Sequence, residues 1–344
     1  MRLGILTGGG DAAGLNAAIR AICRRASAGS DTVMAIKNGW AGLTGAGNWA
    51  ELHPQDVSGI LPLGGTILGT SRTNPLRSPE ALMEVGENLS RAGLDALIAI
   101  GGNDTLSVAL ALSRAGHPVV GVPKTIDNDL LVTEYCIGFD SAVGIVAEAL
   151  DRLHTTAASH HRAMVVEVMG RDTGWLALMG GLAGGADIIV IPEFAVTLDE
   201  IAQHVEGRHR SGKDFSIVVV AEGAQVGGLT APSDGSGGAD QFGHLQLAKR
   251  AVGEAVAAAL ERQTGFETRV TVLGHTQRGG APSAYDRIWA TRVGLGAYDL
   301  VRQGRFGRMA AKLGDEVLDA DLNEVVAGVR AVPLAIYDLA RVFY

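Results

Sequence analysis

Two cysteines, Cys23 and Cys136, are too few for a disulfide framework in a chain of 344 residues. Both stand among apolar neighbours, which points to reduced, buried thiols and a cytoplasmic location. Positive charge is scarce as well. Lys and Arg number 29 against 37 Asp and Glu, and the net charge of −8 offers no general attraction for nucleic acid or an anionic membrane. Any basic site must therefore be local. Long apolar runs are absent: none approaches a membrane span, and the opening "LGILT" is stopped by three glycines and Asp11 before it forms a signal-peptide core. A soluble protein is expected.

What the chain has in excess is glycine, 48 residues, concentrated at the ends of apolar runs where backbone turns sharply or approaches a ligand. Those runs are short and β-branched: 3–7, 32–37, 96–100, 118–122, 163–169, 187–192, 216–222 and 269–274. Almost all are continuously apolar, the pattern of strands covered by helices on both faces. Helical spacing appears over 13–28, 105–115, 141–158, 248–263 and 284–303. The alternation predicts an α/β protein with a parallel, doubly wound sheet, and the length favours two domains. Between Gln225 and Phe242 a Gly, Ser and Asp-rich stretch reads as a flexible loop insertion.

Three glycine-bearing strand ends carry the first chemical signal. "LTGGGDAAGLNAAIR", Leu6 to Arg20, leaves a strand and opens a helix, where free N–H groups and the positive helix end face an anion. Gly8, Gly10 and Ala13 also satisfy G-x-G-x-x-A, but the ribose-binding acid expected after the second strand is missing, and no G-K-S/T completes a P-loop. "LGGTILGTSRTNP" places Arg72 beyond a second glycine turn, in reach of phosphate. "IGGNDTLSVA" puts Asn103, Asp104 and Thr105 at a helix start, where Asp104 or Thr105 also reads as an N-cap.

"VPKTIDND", Val122 to Asp129, supplies the second signal: a lysine followed at once by two carboxylates. In an extended segment Asp127 and Asp129 share one side, and such a pair divides the labour of phosphoryl transfer between proton acceptor and metal-phosphate support. Arg162, Arg171, Arg269, His275 and Arg278, with Glu222 at a strand end, form a basic set in an acidic protein, which points to a phosphorylated metabolite. His154, His160 and His161 lack partners at metal-ligand spacing and read as helix surface.

"TGGGDAAGLNAAIR", "GGTILGTSR", "GGNDTL", "PKTIDND", "GFDSA", "SHHRAMVVEVMGR", "AEG" and "VLGHTQRGG" follow one another in an order that resembles the phosphofructokinase family along about the whole chain. The resemblance implies two doubly wound, mostly parallel-sheet domains with the active site in the cleft between them. Residues 1–138 and about 278–330 would form the phosphoryl-donor domain, and 139–277 with about 331–344 the sugar-phosphate domain. Thr125, Ile126 and Asp127 would meet the 1-hydroxyl end of fructose 6-phosphate, with Asp127 as proton acceptor. Met169, Gly170, Arg171 and Glu222 would hold the sugar, and His275 and Arg278 its phosphate end. Arg162 and Arg269 would come from a neighbouring subunit, which implies a homodimer or homotetramer. Gly10 and Arg72 would contact the donor, and Asn103 and Asp129 would serve Mg²⁺. Asp104 and Lys124, which pyrophosphate-using relatives carry where ATP users commonly have glycine, point to pyrophosphate. With Asp127 and Arg171 they complete the expected catalytic set. Asn103 departs from the family's acid and lacks its charge. An ATP-dependent enzyme, a kinase of another sugar phosphate such as sedoheptulose 7-phosphate, and an impaired sugar-phosphate-binding subunit remain the alternatives.

Overall fold

The computed structural model describes residues 1–229, 251–342 and 344. Most of the loop expected over 225–242, and the first residues of the helix expected over 248–263, lie outside them. The chain divides into two compact units, Met1–Ser141 with Arg278–Val329, and Ala142–Gln277 with Arg330–Tyr344.

In the first unit, among the described residues, the sheet has seven strands: β1 (Arg2–Thr7), β2 (Thr32–Ile36), β3 (Trp49–Leu52), β4 (Ala96–Gly101), β5 (Val119–Pro123), β12 (Arg308–Leu313) and β13 (Glu316–Asp321). Their order is β13-β12-β5-β4-β1-β2-β3. The five central strands are parallel, and β3 and β13 close the edges antiparallel. Both faces are covered, which is why β1, β2, β4 and β5 read as unbroken apolar runs. On one face α1 (Leu15–Ala28) and α8 (Ala284–Arg302) bury Leu15, Ile19, Ile22, Val293 and Ala297 against Leu3, Ile5 and Val33. On the other, α2 (Pro79–Arg91), α3 (Asn103–Arg114) and α9 (Leu322–Val325) bury Val85, Leu89, Leu106, Val108 and Leu322 against Leu6, Ile36 and Leu97.

The second unit holds a four-stranded parallel sheet, β11-β6-β9-β7, from β6 (Ala163–Val168), β7 (Ile188–Val190), β9 (Ser216–Ala221) and β11 (Thr268–Val272). A two-residue pair, β8 (Val196–Thr197) and β10 (Val226–Gly227), lies apart from it in pairing. Its helices are most of α4 (Phe139–His160), then α5 (Trp175–Ala183), α6 (Leu198–Arg210), α7 (Val252–Thr264) and α10 (Leu334–Arg341). α6 opens on a capping box, with Thr197 accepting from the Glu200 N–H and the Glu200 carboxylate accepting from that of Thr197.

One buried acid organises the first unit around the β5 end. Asp286, fully buried in the first turn of α8, accepts from the Tyr135 hydroxyl, the Gly138 and Ser141 N–H groups, each at 2.8 Å, and the Ser141 hydroxyl. Burial raises its carboxyl above the ordinary aspartate range despite those donors. It thereby caps the start of α4 and fixes the segment whose Ile137 N–H donates to Pro123 O, the residue before Lys124, at 3.0 Å. Both cysteines are free and buried, and burial pushes the Cys23 thiol up to about 11.

Candidate active site

The order of the first sheet creates a switch point. From β1 the chain steps to β2 on one side, while β4 and β5 extend the sheet on the other, and ligands of such sheets bind at the carboxyl ends beside that reversal. Three of the singled-out segments lie there: the glycine loop after β1, Gly102–Asp104 after β4, and Lys124 after β5. The glycine loop is tied down by Gly8 N–H to Ile100 O (2.9 Å) and Gly9 N–H to Ser71 O (3.1 Å), and the Thr70 hydroxyl donates to Gly9 O (2.6 Å). The segment bearing Arg72, itself exposed, therefore runs along the loop. Asn16, buried in α1, pins the start of that segment through Leu63 O, Gly64 O and the Ile67 N–H.

Two glycines here answer to packing as much as to a ligand. A Cβ on Gly8 would stand 2.5 Å from the Thr105 hydroxyl, and one on Gly10 would stand 2.5 Å from Nη1 of Arg278. The Arg278 guanidinium thus lies against the glycine loop, where Nη1 also donates to Asp11 O at 3.2 Å.

Lys124 is 3% exposed, and its ammonium donates to Gly8 O at 2.8 Å and Gly10 O at 2.5 Å. Burial, with the Arg278 charge nearby, lowers it to about 8, against the pull of Asp11 and Asp127. The lysine is therefore part of the loop's own framework as well as a cation beneath it.

At the start of α3 the cap is Gly102, so neither Asp104 nor Thr105 is the N-cap; Asp104 is the acid of the first turn and Thr105 is buried. The Asn103 amide donates to Asp129 Oδ2 at 3.5 Å, which brings the two residues expected at a metal together. The extended path expected through Asp127 does not hold. Residues 126 and 127 form a turn, and Asn128 takes a left-handed φ of 51°. The turn nevertheless leaves residues Thr125, Asp127 and Asp129 partly accessible while Ile126, Asn128 and Leu130 are buried. The Asp127 N–H donates to the Thr125 hydroxyl at 3.2 Å.

In the second unit Met169–Arg171 follow β6, Glu222 follows β9 and His275 follows β11, at the carboxyl edge of that sheet. The Gly170 N–H approaches Glu222 Oε1 at 3.5 Å, and Gly223 N–H donates to Gly170 O at 3.0 Å. Arg171 is half-buried with Asp172 3.7 Å from Nε, and His275 is exposed. Sequence reasoning missed Gln277. Buried to 1%, it accepts from the Met169 N–H at 3.3 Å and donates to Gly274 O at 3.0 Å, joining two of the predicted segments. Its signal was its place inside "GHTQRGG". Arg162 and Arg269 lie at the opposite, amino edge, one just before β6 and the other at the second residue of β11.

A glycine loop at a helix start with a buried lysine beneath it, and paired carboxylates at the carboxyl edge of a doubly wound sheet, fit the class of enzyme that moves phosphoryl groups. The phosphofructokinase family model matches residues 2–301. A pyrophosphate--fructose 6-phosphate 1-phosphotransferase of Dictyoglomus thermophilum is 46% identical over 344 residues, covering 100% of this chain and 99% of its own. ATP-dependent 6-phosphofructokinase 2 of Streptomyces coelicolor is 48% identical, covering 97% of each chain. Among solved structures, T-state phosphofructokinase from Pichia pastoris superposes with a TM-score of 0.83 at 34% identity, over 99% of this chain and 36% of the longer yeast chain. This chain belongs to the phosphofructokinase family. Among the described residues, no helix is long and apolar enough to cross a membrane.

Proposed function

We propose that this chain transfers the terminal phosphoryl group of pyrophosphate to the 1-hydroxyl of fructose 6-phosphate, giving fructose 1,6-bisphosphate and inorganic phosphate. The pairing of Asp104 with Lys124 carries the donor assignment. Lys124 places a positive centre directly under the glycine loop, and Asp104 occupies the first turn of the helix at the neighbouring strand end. That charge pattern suits a compact two-phosphate donor and repels the longer polyphosphate of a nucleotide. Four relatives named for the pyrophosphate reaction, 46–50% identical, support the assignment; ATP-dependent relatives at 44–48% make the donor the property to measure.

Asp127 accepts the proton of the 1-hydroxyl, the freed oxygen attacks the terminal phosphorus, and the bond to the bridging oxygen breaks as phosphate leaves with its electron pair. Lys124 stabilises the charge on the donor and the departing phosphate from beneath the loop, and Arg72 does so from the adjoining segment. Met169, Gly170, Arg171 and Glu222 hold the sugar, and His275 and Arg278 its phosphate end. Arg162 cannot join Met169 on one substrate within the same chain. The six residues of β6 separate them, a span of about 20 Å. We therefore assign Arg162 and Arg269 to the site of a second copy, in a homodimer or homotetramer.

Magnesium fits the residues present. Asn103 and Asp129 stand together, and this ion takes one or two carboxylates plus phosphate oxygens of its substrate. Among the described residues no cluster of three or more His, Cys, Asp or Glu would hold a metal alone. Asn103 and Asp129 would hold it with the donor, and when bound it neutralises phosphate charge. Because the product phosphate is also a competent acceptor, the reaction runs in both directions. Phosphorus NMR of fructose 6-phosphate with magnesium pyrophosphate, and of the bisphosphate with phosphate, tests this. Conversion from both starting mixtures to one final composition is expected; formation of no bisphosphate refutes the assignment.

A further inference from the structure

Arg162 and Arg269 are already engaged by an acid of their own chain. Glu267 precedes β11 and Arg162 precedes β6, and the parallel register Thr268 to Ala163 sets the two side by side. Arg269, two residues beyond Glu267, emerges on the same face of its strand. Nη2 of Arg162 lies 2.7 Å from Oε1 of Glu267, and Nη2 of Arg269 bonds the same oxygen. Nη1 of Arg269 turns to Thr268 O at 3.0 Å, with Glu261 3.8 Å away, and Nε of Arg162 is buried without a hydrogen-bond partner among the described residues.

Two guanidinium groups converging on one anionic oxygen is how arginines receive a phosphate oxygen, and each fork that Glu267 occupies is closed to a two-point contact with phosphate. Glu267 is the carboxylate the two guanidinium groups share, while Glu261 stands farther off, 3.8 Å from Nη1 of Arg269 alone. All three side chains are partly exposed, 27% for Arg162, 41% for Glu267 and 51% for Arg269, so these are pairs that exchange readily in water.

We propose that Glu267 is an internal competitor for the substrate phosphate: its carboxylate holds the place of a phosphate oxygen between Arg162 and Arg269, and sugar-phosphate affinity is set by its displacement. The inference rests on the proposed role of those two arginines and adds the residue that tunes them. Glu267 acts through the arginines and is a positioning residue.

Glu267→Gln keeps shape and removes the charge at a partly exposed position, where the fold tolerates it. The expected result is a fall in KM for fructose 6-phosphate of about two- to tenfold, with a smaller change in kcat and in donor KM. Glu206→Gln, which removes the same charge from an α6 surface pair with Arg210, should leave that KM in place. An unchanged or raised KM in Glu267→Gln overturns the proposal, since a carboxylate that merely orders the arginines would weaken binding when lost. An equal fall in Glu206→Gln also overturns it, as bulk charge. Arg162→Ala and Arg269→Ala separate this from the underlying assignment. Each should raise the sugar-phosphate KM at least about tenfold, and if neither does, the phosphate role of the arginines fails whatever Glu267 does.

Discussion

The ammonium of Lys124 titrates within the working range of an enzyme, because burial beneath the glycine loop lowers it to about 8. Below that pH it is protonated and, in the proposed function, attracts an anionic donor; above it the charge is lost. Pyrophosphate KM is therefore expected to be lowest below pH 8 and to rise above it, and Lys124→Met should abolish the inflection; an identical profile in that variant would remove the lysine from donor binding. Stability runs the other way. The unfolded chain keeps the proton up to about 10.5, so the fold gains stability between pH 8 and that value, measurable by urea denaturation. Asp127→Asn should reduce kcat about 10²- to 10⁴-fold while sugar-phosphate KM moves far less, and unchanged turnover would exclude Asp127 as proton acceptor. Asp127, Asp129 and Lys124 were legible in sequence because unlike charges crowd a strand end. The burial of Lys124 on two carbonyls was not, since it depends on a loop more than a hundred residues away.

Elements place those residues through a few buried polar side chains. Asn16 of α1 satisfies three backbone groups of the segment leading to Arg72. Asn16→Ala should cost about 2–4 kcal/mol in denaturant unfolding and raise donor KM, because those groups lose their partner and the segment loosens. Wild-type stability in that variant would contradict the account. Continuous apolar runs predicted β1, β2, β4 and β5 of the first sheet and the four strands of the second to within a residue or two at most ends, since strands covered on both faces leave that trace. β3, β12 and β13 were missed. β3 and β13 are antiparallel edges with exposed or alternating faces, and β12 mixes charge with alanine. α6 escaped as well, although its Thr197 and Glu200 spacing is a capping-box signal. The left-handed Asn128 gave the expected display of Asp127 and Asp129 by a turn in place of a strand, a difference no side-chain periodicity reveals.

At the scale of the whole molecule, the proposed function makes assembly a requirement, because Arg162 and Met169 stand at opposite edges of the second sheet. Assayed at fructose 6-phosphate well below the raised KM of Arg162→Ala, Asp127→Asn and Arg162→Ala should each be strongly impaired alone. Dissociated together and reassociated, they should recover about a quarter of wild-type activity in a dimer, because half the dimers are mixed and each mixed dimer has one intact site. No recovery, with mixed oligomers demonstrated, would place Arg162 in its own chain's site. The sequence order of motifs made the family legible. The proposed donor rests on single side chains at two positions, and its most direct measurement is kcat/KM for fructose 1,6-bisphosphate formation with magnesium pyrophosphate and with magnesium ATP, in the wild type and in Asp104→Gly. Pyrophosphate is expected ahead of ATP by at least about a hundredfold in the wild type, narrowing when the carboxylate is removed. ATP equal to or better than pyrophosphate in the wild type would contradict it.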